Sequence, residues 1–114
     1  MNWTKSNHML CLGVALTPEK KVKNKVVSIL KTYGAYYFFP ATYGYGRSGV
    51  PDIVCCLCGK FLGIECKAAK NVPTALQKRE LAAIQTAGGS ALVVNEDNLP
   101  ELIAWCVDTT QEHS

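Results

Sequence analysis

Two apolar runs of equal length, Asp52–Cys58 and Phe61–Lys67, flank the dipeptide Gly59-Lys60, and a chain with that pattern has little choice but to form a β-hairpin there. Hairpin parity then fixes which side chains meet. Cross-strand partners share a face, as do residues two apart on one strand. With Gly59-Lys60 as the loop, Asp52 lies opposite Lys67; with the loop moved back to Cys58-Gly59, it lies opposite Glu65. Either register gathers Asp52, Glu65 and Lys67 on one face, and only an odd-length loop or a bulge would separate them. The reverse face carries Ile53, Cys55, Leu57, Leu62, Ile64 and Cys66, all apolar. One side of the hairpin is therefore core, and the other ends in two carboxylates and an ammonium.

The flanking sequence supplies the rest of an α/β domain. Thr17-Pro18-Glu19 reads as a helix start, with Thr as N-cap, Pro in the first turn and an acid near the positive end of the dipole. The helix runs to about Thr32, and Gly34 ends it. Its apolar stripe is Val22, Val26, Ile29, Leu30 and Tyr33, and helical steps of three and seven place Glu19 on that stripe, pointing inward. Ala35–Pro40 is aromatic enough for a strand, and Ala41–Val50, with three glycines, is a loop. A capping box, Thr74-x-x-Gln77, opens a helix over 74–87 that Gly88-Gly89 closes. Ser90–Val94 reads as a buried strand and Asp97–Val107 as a last helix. The order is α-β-β-β-α-β-α, a mixed sheet flanked by helices. A chain of 114 residues suits one domain: an N-terminal arm or short strand over 1–16, a core over 17–94 and a C-terminal helix over 97–108.

Charge is distributed unevenly. All 12 Lys and Arg residues lie at or before Arg79, with only three of the nine acids, Glu19, Asp52 and Glu65; the other six acids lie from Glu80 onward. A stretch that excludes acids so thoroughly is built to meet a polyanion, and its three remaining acids include the two on the hairpin. Exposed bases around the hairpin, Lys20, Lys21, Lys23, Arg47, Lys70, Lys78 and Arg79, with Tyr43 and Tyr45 on the glycine loop, are the candidate nucleic-acid contacts. No apolar run reaches the roughly 18 residues needed to cross a bilayer. Four of the six cysteines sit in the hairpin, as expected of small apolar side chains in a reduced, cytoplasmic protein. Cys55 and Cys58 form a C-x-x-C, but a strand would point them to opposite faces, which argues against a shared zinc.

Two carboxylates held together repel unless a cation or a proton lies between them. With an inward Glu19, three acidic groups would converge, and such oxygen donors suit Mg²⁺, with Mn²⁺ able to substitute. Lys67 would then stabilise charge on a phosphate or orient the attacking water. A solvated ion pair at a strand end is the other reading of the same residues.

Gly49-Val50-Pro51-Asp52, followed by Glu65-Cys66-Lys67, resembles the PD-(D/E)xK nuclease signature. The wider pattern G-V-P-D-I-V…G-K-F-L-G-I-E-C-K…T-A-L-Q…A-G-G-S-A-L-V-V is similar to the VRR-NUC (virus-type replication–repair nuclease) domain, over roughly Thr17 to Val94. The resemblance implies a restriction-endonuclease-like fold in which Asp52 and Glu65 bind the metal, joined by the Cys66 backbone carbonyl and by Glu19, and Lys67 is the catalytic lysine. Gln77 matches a glutamine near the active site, although the capping box alone also accounts for it. Stand-alone members resemble phage and bacterial homodimers that cut Holliday junctions and other branched DNA, with no small-molecule cofactor. The resemblance thus implies a Mg²⁺-dependent endonuclease of that kind, with Tyr36, Tyr37, Phe38 and Phe39 available either to a dimer contact or to the core. A restriction-type or flap nuclease, or a non-catalytic nucleic-acid-binding module, is the alternative on the same core.

Overall fold

The computed structural model describes residues 16–42 and 46–113. The expected N-terminal arm, save Leu16, and the loop tyrosines Tyr43 and Tyr45 lie outside the described residues. Helix α1 spans Pro18–Tyr33: the Thr17 hydroxyl accepts from the Lys20 amide at 3.2 Å, and Gly34, at φ 77°, caps the far end. Val22, Val26 and Leu30 are its buried stripe, with Ile29 and Tyr33 packed alongside.

Strands β1 (Tyr36–Phe38), β2 (Ile53–Leu57), β3 (Lys60–Cys66) and β4 (Ser90–Val94) form one sheet in the order β1-β2-β3-β4. The first three are antiparallel neighbours, and β4 runs parallel to β3 across helix α2 (Ala75–Thr86). Helix α3 (Leu99–His113) completes the expected order. The hairpin takes the second of the two registers: Leu57 pairs with Lys60 and Ile53 with Ile64, so the loop is Cys58-Gly59. Both loop residues have positive φ, 50° and 81°, the type I′ geometry whose twist matches that of the strands and whose second position favours glycine.

The expected apolar face is the core. Ile53, Cys55, Leu57, Leu62, Ile64 and Cys66 are all buried, together with Val94, the α1 stripe and Leu102 and Cys106 of α3. Helices α1 and α3 thus cover one face of the sheet. On the other face α2 approaches β3 at Gly63, where an added Cβ would lie 2.6 Å from Ile84 Cδ1 and 3.0 Å from Pro51 Cγ. Only a residue without a side chain lets helix and strand come that close. Ser90–Val94 is not the buried strand its composition suggests: only Val94 is buried, because β4 lies at a sheet edge. No helix among the described residues is long and apolar enough to cross a membrane.

Candidate active site

The paired ladder of β2 and β3 ends at Ile53–Ile64, one residue short of Asp52 and Glu65. β3 continues beside β4 through Glu65 and Cys66. The Cys66 amide therefore has no backbone partner on the β2 side, and the Asp52 carboxylate supplies one: Asp52 Oδ2 accepts from Cys66 N at 2.8 Å. The left-handed Gly49, packed against the Leu76 backbone, leads the chain through buried Pro51 into this position.

Glu65 is 1% exposed. Its two oxygens differ sharply. Oε2 accepts from Gln77 Nε2 at 2.8 Å and lies 3.5 Å from Lys67 Nζ. Oε1 is buried with no hydrogen-bond partner among the described residues. Burial, and then the adjacent Asp52 carboxylate, push the Glu65 carboxyl up from 4.5 to about 7 against the pull of Lys67. A buried carboxylate oxygen left unpaired costs on the order of 1–3 kcal/mol or more, and a cation there would offset both that cost and the repulsion from Asp52.

Gln77 caps the helix and also reaches Glu65. Its Oε1 accepts from the Thr74 amide at 2.8 Å, and the Thr74 hydroxyl accepts from the Gln77 amide at 3.2 Å, completing the capping box. Because the carbonyl end of the amide is held in this way, the NH₂ end is the one that faces Glu65. The two readings of Gln77 left open by the sequence are therefore compatible.

Glu19 departs from expectation. It is exposed, not turned inward, because the buried stripe of α1 begins one step later at Val22. Its charge still reaches the site's edge: with Asp52 and Glu65 it adds to the burial that pushes the Cys66 thiol up to about 12. Among the described residues no three His, Cys, Asp or Glu side chains gather into a metal-holding group. The Cys66 side chain is buried in the core, so any contribution to a metal would come from its backbone. Cys55 and Cys58 do not form a C-x-x-C within one strand: Cys55 is buried in β2, while Cys58 occupies the turn.

Of the expected nucleic-acid contacts, Lys20, Lys21, Lys70, Lys78 and Arg79 are exposed. Lys23 is half-buried, its Nζ 4.7 Å from the centroid of the Phe39 ring, and its charge offsets part of the rise in the Cys66 thiol. Arg47 is paired with Glu80 of α2 at 3.6 Å. Glu96 carries no motif that would single it out in the sequence. Its carboxylate accepts from the amide of Ala69, which has φ 46°, and so holds the loop after Lys67. The two residues are far apart in the chain and share no motif.

A mixed sheet between helices, with two carboxylates and a lysine gathered at one end of the hairpin, is the arrangement expected of a PD-(D/E)xK fold. The chain is 34% identical over 82 residues to the presumed nuclease p44 of Acyrthosiphon pisum secondary endosymbiont phage 1, covering 71% of this chain and 85% of that protein. Its fold matches a VRR_NUC domain with a TM-score of 0.62 at 19% identity, over 87% of this chain and all of the other. It also matches the Holliday junction resolvase Hjc of Archaeoglobus fulgidus, with a TM-score of 0.52 at 22% identity, over 67% of this chain and 66% of that one. No family model matches. The chain belongs to the family of that phage nuclease and has the fold of a VRR_NUC domain.

Proposed function

We propose that this nuclease is a Mg²⁺-dependent endonuclease that cuts branched DNA as a homodimer. The observation that carries the metal reading is the buried, unpartnered Oε1 of Glu65 beside Asp52. Gln77 and Lys67 both engage Oε2, so the carboxylate is oriented with one oxygen committed and one available. Asp52 is held in the same way, through Cys66 N. Asp52, Glu65 and the Cys66 carbonyl are the donors that would hold the ion, and an exposed Glu19 would join only through water. All are oxygens, which suits Mg²⁺ or Mn²⁺. Bound there, such an ion would supply Lewis-acid polarisation of the scissile phosphate and lower the pKa of an attacking water.

The protein's own residues orient and neutralise. Lys67, its side chain only 13% exposed, would balance negative charge that grows on the phosphate in the transition state. The exposed lysines before Glu80 attract and align the backbone of the substrate. Resemblance to the resolvase fold and the small size of one chain favour a branched substrate and a two-fold dimer, since paired cuts need two sites. The test is incubation with labelled linear, flap, fork and four-way junction DNA in Mg²⁺, Mn²⁺ or EDTA. Junction cleavage in Mg²⁺ that EDTA abolishes supports the proposal. Cleavage that persists in EDTA refutes the metal role, and equal cutting of linear and branched DNA refutes the structural preference.

A further inference from the structure

Helix α2 lies over β3, near Gly63, and among the described residues the β1–β2 half of that sheet face stays exposed at Tyr36, Phe38 and Cys56. The ladder aligns Tyr36, Cys56 and Phe61 in one row across three strands, and Phe38, Val54 and Gly63 in the next. Tyr36 is 70% exposed, Phe38 46% and Phe61 44%, and Cys56 is exposed beside them. Their alternate, Tyr37, faces the core instead. None of the six residues in these rows is charged. At about 200 Å² per aromatic side chain, the three rings leave roughly 300 Å² in water, a sizeable part of the ~800 Å² each partner contributes to a standard interface.

Beside Phe61 the same face deepens into a cavity of about 320 Å³ between strand and α2, walled by Ala83, Ile84 and Ala87 and bounded by Arg47 and Glu80. Glu80 is buried, yet its partner is an arginine 3.6 Å away whose side chain is 70% exposed, so the carboxylate retains accepting capacity. An apolar wall ending in a polar pair suits a tyrosine, which has an apolar body and a hydroxyl tip.

We infer that this open half-face is the contact with a second copy of the chain, and that each Tyr36 seats at the mouth of the partner's cavity beside Phe61. The register carries the geometry. A two-fold axis parallel to the strands, passing between β1 and β2, lays the partner's Tyr36 over Cys56, one strand from Phe61 and clear of α2. Neighbouring strands are about 4.8 Å apart, so Phe61 stays within reach of one tyrosine side chain. The same axis leaves both hairpins pointing in one direction and so puts the two carboxylate sites at the same end of the dimer. A two-fold axis across the strands would send them to opposite ends. This inference rests on the homodimeric reading of the nuclease and assigns its surface.

The test is the mass in solution of wild type, Tyr36→Asp and Phe38→Asp at micromolar concentration, by sedimentation or light scattering, with circular dichroism as a check on folding. The expected result is twice the 12.4 kDa chain mass for wild type and folded particles near 12.4 kDa for both variants. The variants should still nick single strands but lose paired cuts at a four-way junction. Should either variant fail to fold, Tyr36→Ser serves in its place, with a dimer dissociation constant raised at least about tenfold. Dimeric variants would overturn the assignment while leaving the homodimer standing. A monomeric wild type would overturn both. If it also lost affinity for single-stranded DNA on Tyr36→Asp substitution, the face would belong to unpaired bases.

Discussion

Gln77 Nε2 donates to Glu65 Oε2 at 2.8 Å while Gln77 Oε1 accepts from the Thr74 amide at 2.8 Å, so a single side chain ties the first turn of α2 to the buried carboxylate of β3. The helix start is thereby a positioning element for the hairpin acid. Gln77→Ala should leave the Thr74 hydroxyl cap in place and change stability by about 1 kcal/mol. Cleavage should fall more, by roughly 10–100-fold, the usual cost of losing an outer partner of a metal ligand. Single-turnover rates and Tm measured together decide this. A variant that loses stability but cuts at the wild-type rate would make Gln77 a cap alone.

Asp52 has a structural task as well as its candidate catalytic one, because it satisfies the Cys66 amide. Asp52→Asn keeps an oxygen to accept that hydrogen bond and removes the negative charge. Tm should stay within a few degrees of wild type, while cleavage falls at least about a hundredfold, as for loss of a metal ligand. Lys67→Ala should produce a similar fall in rate. Binding of DNA by Asp52→Asn should persist or tighten, since a charge that repels phosphate is gone. A folded Asp52→Asn protein with unchanged cleavage would exclude Asp52 from the chemistry.

The parity of the hairpin was legible because side-chain alternation has a period of two, so either register placed Asp52, Glu65 and Lys67 together. What parity could not show is how unlike the two Glu65 oxygens are, since that depends on Gln77 arriving from a separate helix. Helical spacing likewise put Glu19 on the stripe of Val22 and Val26, but periodicity says nothing about where a packed face begins. The first turn of α1 precedes it, and Glu19 is exposed. Composition made Ser90–Val94 a buried strand, yet only the order of strands reveals that it lies at an edge. Arg47 looked like a free base until the fold placed Glu80 next to it.

The burial of Glu65 gives the metal-free protein a pH dependence of definite sign. Its carboxyl is held at about 7 in the folded state, above its ordinary 4.5, so folding favours the protonated form. The stabilisation is present below pH 4.5 and is lost as pH rises towards 7. In EDTA, Tm should therefore fall across that window, and Glu65→Gln, which cannot ionise, should flatten the decline. Mg²⁺ should raise Tm more at pH 8 than at pH 5, where the carboxyl is protonated. Thermal melts at four pH values with and without Mg²⁺ measure all of this. A Glu65→Gln curve parallel to wild type would mean that the dependence originates elsewhere.

Glu19 and the lysines beside it divide the roles of α1. An exposed Glu19 in the first turn is worth roughly 0.3–1 kcal/mol as a partner of the helix dipole and nothing in catalysis. If it also reaches the metal through water, Glu19→Gln should leave Tm nearly unchanged and raise the Mg²⁺ concentration for half-maximal cleavage several-fold. An unaltered titration would confine it to the dipole. Lys20 and Lys21 follow on the same exposed turn. Each phosphate neutralised on duplex DNA adds about 0.9 to the slope of log K against log salt. Replacing both with alanine should flatten that slope by roughly one to two units if both touch the backbone. Fluorescence anisotropy across a salt series reads it, and a parallel, unshifted plot would turn this face of α1 away from the DNA.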